Sequence, residues 1–187
     1  MVTQLGIGDL AADRPASREE QRLAAMIARV EVAWADFHKA YAGLPDDDLL
    51  IPGVTGDWSI RDLIAHVTWW DEEAIAHLPT VLAGGTPPRY SATWGGIDAF
   101  NALKTKEKAG LSLDEVRAEA DATHQRLLDY LRSVPPERLK GNSKVTHRLR
   151  LDTYGHYPIH AADIRRWRAR RQPPSASIDT GSASGSS

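Results

Sequence analysis

Along most of this chain apolar residues return every third or fourth position, the period of an amphipathic helix. Leu23, Met26, Ile27, Val30, Ala33, Trp34, Phe37 and Tyr41 predict a long first helix from Ser17 to about Leu44, with Ser17 and Glu20 spaced as a capping box. Ile60, Leu63, Ile64, Val67, Ala74 and Leu78 predict a second from Ser59 to about Ala83, capped by Ser59 with Asp62 and kinked or broken at Pro79. Helical character returns over residues 97–108, breaks at Ala109-Gly110 and restarts at Ser112, where Leu113, Val116, Ala120, Thr123, Leu127, Tyr130 and Leu131 form the next stripe before Pro135-Pro136. Between helices two and three lies a long connection, from Gly84-Gly85 to Gly95-Gly96, with Tyr90 and Trp94 inside it.

The stretch 137–150 is polar, and Val145, His147 and Leu149 alternate in it like a short strand. The last helix should begin near Asp152 or Thr153 and carry its first turn past Pro158 with a kink. Four main helices with one broken and no sheet predict an all-α four-helix bundle over residues 17–171. Residues 1–16 show no sustained period and read as a flexible lead-in; residues 172–187, rich in Ser, Gly and Pro, read as a disordered tail.

Composition narrows the function more than the fold. A chain of 187 residues with net charge −2 and 42% apolar residues suits one domain and has no overall attraction for nucleic acid or an anionic membrane. The chain has no apolar run of spanning length and no signal-peptide pattern, so a cytoplasmic location is expected. Cysteine is absent, which rules out disulfides, thiolate ligands and a protein thiol nucleophile; any sulfur chemistry must use a thiol cosubstrate.

Histidine supplies the candidate chemistry. On one helix His156 and His160, four residues apart, would share a face, and His66 edges the buried stripe of the second helix. Three neutral imidazoles leave a divalent ion positively charged with an open position, the arrangement of a catalytic site. Trp70 and Glu73 lie one and two turns after His66 and, with Tyr157, are placed at a substrate pocket. Asp163, three residues after His160, is a candidate outer carboxylate for an imidazole. His124 adjoins the third stripe with nothing else to mark it as a ligand. The arginines at positions 165, 166, 168, 170 and 171 suit a solvated helix C-terminus.

The stretch Trp58-Ser59-Ile60-Arg61-Asp62-Leu63-Ile64-Ala65-His66 with Trp70, the tetrapeptide Asp98-Ala99-Phe100-Asn101, and Thr153 through Ile164 resemble the DinB-like superfamily, in particular its ClbS/DfsB branch, over residues 18–170. The resemblance implies a four-helix bundle in which His66, His156 and His160 hold a divalent ion, zinc or nickel. It implies a thiol transferase using mycothiol, bacillithiol or glutathione, or a detoxifying hydrolase, acting on a small electrophilic metabolite. The self-protection role of the branch implies a second class of function, a non-catalytic module that sequesters a reactive metabolite. The expected partner is a small molecule, not nucleic acid or membrane, with a homodimer left open.

Overall fold

A computed structural model describes residues 14–140 and 142–171; the expected tail at 172–187 and residues 1–13 of the expected lead-in lie outside them. Four long helices form the frame: α1 (Arg18–Tyr41), α3 (Ile60–Leu82), α6 (Leu113–Ser133) and α8 (Tyr157–Arg171). Shorter ones join them: α2 (Asp46–Leu49), α4 (Tyr90–Thr93), α5 (Ile97–Lys108) and α7 (Ser143–Asp152), with a 3-10 turn at Pro136–Leu139. Around the bundle, α1 packs on α8 and α6, and α3 packs on α6 and α8, closing a ring about one core. No strand occurs among the described residues, and the all-α bundle is as expected. No described helix is long and apolar enough to cross a membrane.

The capping boxes at Ser17/Glu20, Ser59/Asp62 and Ser112/Glu115 all form, each satisfying two backbone N–H groups at the start of a long helix. Inward from these starts run the apolar stripes: Val30 and Phe37 of α1, Leu63 and Leu78 of α3, and Val116 and Leu127 of α6 are fully buried. Burying each large aliphatic or aromatic side chain stabilises the fold by about 1.5–3 kcal/mol.

Three expectations need correction. Of the kink or break expected at Pro79, the break does not occur: α3 continues through the proline to Leu82, close to its expected end, and only the last turn follows Pro79, so few helical hydrogen bonds are at stake. Residues 143–152 form a helix and not a strand, because Val145, Leu149 and Asp152 at i, i+4 and i+7 are its buried face. The last helix does not pass Pro158 with a kink: α7 ends at Asp152, a turn follows, and α8 starts at Tyr157. That places Pro158 in the first turn, where its missing N–H costs nothing.

The terminal arginines, read as a solvated end, also tie α8 to α1. Arg165 donates to both carboxylate oxygens of Asp36, at 2.6 and 3.1 Å, and Arg168 donates to the carbonyls of Ala40 and Ala42 at the end of α1.

Candidate metal centre

The turn between α7 and α8 is closed by backbone bonds: Gly155 N–H donates to Arg150 O at 2.9 Å, and His156 N–H and Tyr157 N–H both donate to Thr153 O, at 2.7 and 2.9 Å. A Cβ on Gly155 would stand 2.6 Å from that Arg150 oxygen and 2.8 Å from Arg150 Cγ, so only glycine lets the chain double back here. Gly155→Ala is expected to cost about 1–3 kcal/mol, the usual penalty of overpacking, read as a lowered urea midpoint; an unchanged midpoint would show that the turn is looser than drawn.

This turn delivers His156 just ahead of α8, with His160 one turn inside it, while His66 sits in the second turn of α3. The histidines are therefore not two residues of one helix face, yet all three converge. His156 Nε2 lies 3.0 Å from His66 Nε2 and 2.9 Å from His160 Nε2, and the ligand nitrogens all fall within 4.8 Å of one another. Burial pulls His66 down to about 2 and His156 down to about 3, the neighbouring imidazoles adding to the shift, and burial lowers His160 as well. All three rings are thus neutral at pH 7.

Neutral rings cannot satisfy this arrangement by themselves. A ring nitrogen presents either one hydrogen or one lone pair, so His156 Nε2 can complete one aligned N–H···N bond, not two. The remaining contact could at best share that one hydrogen or lone pair in poor alignment. A cation accepting all three lone pairs removes the conflict. Tetrahedral zinc, with bonds of about 2.0–2.1 Å, would separate its nitrogens by about 3.3 Å, a few tenths of an ångström beyond the two short contacts. The two short contacts fit a shared ion after a small relaxation, and the widest separation, up to 4.8 Å, would have to close further around it.

Beside these candidate ligand nitrogens, the Nδ1 atoms of all three rings are buried without a hydrogen-bond partner. Asp163 Oδ2 is 3.6 Å from His160 Nδ1, just beyond bonding distance, and accepts from Thr55 Oγ1 at 2.9 Å while Oδ1 pairs with Arg166. Trp58 and Trp69 flank the His66 ring with centroids 4.7 and 4.8 Å away.

A cavity of about 350 Å³ opens beside the histidines. His66 and His156 line it together with Trp70 and Tyr90, and Ile97 and Leu151 at its lining remain 52% and 57% exposed. Of the residues placed at a pocket by sequence, Trp70 lines this one. Glu73 does not, but its carboxylate accepts from Tyr90 OH at 2.5 Å and so holds a wall in place. Tyr157 is fully buried on another side, among Trp34 and Phe37, with its hydroxyl on Asp71. His124 is not with the cluster: it stacks on Trp34 at 4.1 Å and faces Asp71 from 3.4 Å.

Sequence reading missed the polar residues of this cavity. Arg148 and Asp152, both in its lining, are in ion-pair contact at 2.5 Å, and Arg148 also donates to Tyr90 OH at 3.0 Å. Burial pushes Asp152 up to about 7 even though the Arg148 guanidinium pulls the other way. Their i,i+4 spacing and opposite charge are visible in the sequence, but only a helix running through both makes such a pair meet, and the sequence pattern puts Arg148 in a strand-like stretch and Asp152 at the start of the last helix.

A family model described as the DinB superfamily matches residues 29–170. A solved structure titled "Sibling Lethal Factor Precursor - DfsB" is 18% identical, with a TM-score of 0.66, over 81% of this chain and 98% of that one; at that identity the likeness is one of fold. Comparison with curated proteins gave no match.

Proposed function

Since the chain belongs to the DinB superfamily, we propose that it is a divalent-metal-dependent enzyme in which His66, His156 and His160 hold the ion, and a low-molecular-weight thiol or water attacks a small electrophilic metabolite. The observation that carries this reading is the meeting of three neutral, buried Nε2 atoms whose two short contacts cannot both be well-aligned hydrogen bonds in any set of tautomers. When bound, a zinc or nickel ion lowers the pKa of a water or thiol at its open position, so that a nucleophile exists at neutral pH.

The chain's own residues do the rest. Trp70, Tyr90, Ile97 and Leu151 surround a small substrate with apolar surface beside the cluster and displace water from it. In such surroundings electrostatic effects on developing charge are larger than in bulk water. Glu73 and Arg148 both hydrogen-bond Tyr90 OH and so keep that wall fixed. Asp163 is the residue placed to accept the second N–H of His160 after a small shift. The thiol, with no cysteine in the chain, comes as a cosubstrate such as glutathione, mycothiol or bacillithiol.

The test is incubation of zinc- or nickel-loaded protein with a panel of small electrophiles, with and without each thiol, read by mass spectrometry. A thiol adduct or hydrolysed product that requires metal and disappears in His160→Ala is expected. Unchanged electrophile, recovered at one equivalent per protein, would replace catalysis by sequestration.

A further inference from the structure

At the centre of the bundle one residue from each long helix meets the others. Asp71 of α3 is fully buried; its Oδ1 accepts from the Tyr157 hydroxyl of α8, and its Oδ2 faces His124 Nδ1 of α6 at 3.4 Å. His124 stacks flat on Trp34 of α1, and Trp34 meets the Tyr157 ring edge-on at 5.4 Å. None of the four lines the cavity beside the histidines.

Its position along the helices gives it a role. Asp71 lies five residues beyond His66 on α3, about 7.5 Å along the axis at the usual rise. Tyr157 lies between His156 and His160 in sequence. The body of α8 runs along α1, and α3 runs along α6, whereas α3 and α8 meet at few points. Besides the histidines, the hydrogen-bonded ties across that junction among the described residues are Tyr157 to Asp71 and, from the loop just before α3, Thr55 to Asp163. A slip of α8 against α3 would separate His66 from the other two rings, and among the neutral imidazoles at most one aligned N–H···N bond resists it.

We propose that Asp71 and Tyr157 are positioning residues for the metal centre: their hydrogen bond sets the register of α8 on α3 and so brings His66 opposite His156 and His160. The inference rests on the trihistidine reading. A buried hydroxyl–carboxylate bond suits this task because it is directional and, in surroundings of low dielectric, costly to leave unmade.

Tyr157→Phe, Asp71→Leu, Asp71→Asn and, as a control in the α6 core, Leu131→Ala would be made in the full chain. Zinc affinity is read by competition with a chelator, ligand geometry by the visible spectrum of the cobalt(II) form, and folding by melting of the metal-free protein. Tyr157→Phe and Asp71→Leu are expected to weaken zinc binding about tenfold or more and to alter the cobalt bands, the scale of effect seen when groups that orient ligands are removed. Asp71→Asn keeps an acceptor for the tyrosine hydroxyl and should restore most of the affinity. Leu131→Ala should lower the melting temperature and leave affinity and spectrum alone. Unchanged affinity and spectrum in Tyr157→Phe and Asp71→Leu, or an equal loss in Leu131→Ala, would overturn the inference while the metal reading stands. Wild-type protein that takes up neither zinc nor cobalt overturns both.

Discussion

Replacing His66 by alanine is expected to weaken zinc binding more than about 100-fold, past the 10–100-fold range for residues that merely orient a ligand. On the proposed reading His66 is the one ligand from α3, and without it two imidazoles from a single turn and helix remain. The consequence for stability depends on metal. A ligand at 100 times its Kd stabilises the folded state by about 2.7 kcal/mol, and that increment should vanish from the variant. The metal-free variant should melt no lower than metal-free wild type by more than the loss of ring packing, because the change also relieves an Nε2 contact that neutral rings leave crowded. Calorimetric melts with and without zinc separate the two terms. An equal zinc-induced rise in both proteins would show that His66 is not a ligand.

Arg148→Met should be the most destabilising single change outside the apolar core. Breaking a buried ion pair leaves a charge without its partner and typically costs about 3–5 kcal/mol. Asp152, 2% exposed, would be that charge, and Tyr90 would lose a donor to its hydroxyl. The cost must also depend on pH. Burial already holds Asp152 near 7, well above its unfolded value, so its carboxyl favours folding at low pH and that contribution is lost as pH rises through the folded value. Removing the guanidinium raises the folded value further. The penalty of Arg148→Met is therefore expected to be small at pH 5, where the carboxyl is protonated in both folded proteins, and to grow as pH rises to 8 and beyond, towards the variant's own folded value. Urea unfolding at the two pH values checks this; a penalty that does not change with pH would mean that Asp152 is not the group left unpaired.

Both changes fall on residues whose meaning differs in visibility. His66 was legible because it edges a strongly periodic helix and two other histidines lie four residues apart. Arg148 was not, because the ten residues of α7 carry too few apolar positions to distinguish a period of 3.6 from one of 2: Val145 and Leu149 fit either. Pro158 misled for a related reason. A proline four-residue window can mark a kink or a beginning, and only the backbone bonds of the turn before it, closed on Gly155 and Thr153, decide for the beginning.

The sequence by itself determined the helical class, the three capping boxes, the buried stripes of α1, α3 and α6 and the identity of the three histidines, because each of these is written in spacings of three or four residues. The tertiary structure alone decided that His156 stands outside α8, that Tyr157 turns to Asp71 and away from the cavity, and that Arg148 and Asp152 enter its lining. Those outcomes depend on how α7 and α8 are rotated and slid against α3. Rotation and register arise from packing between segments some 80 to 90 residues apart, and local periodicity carries no information about them.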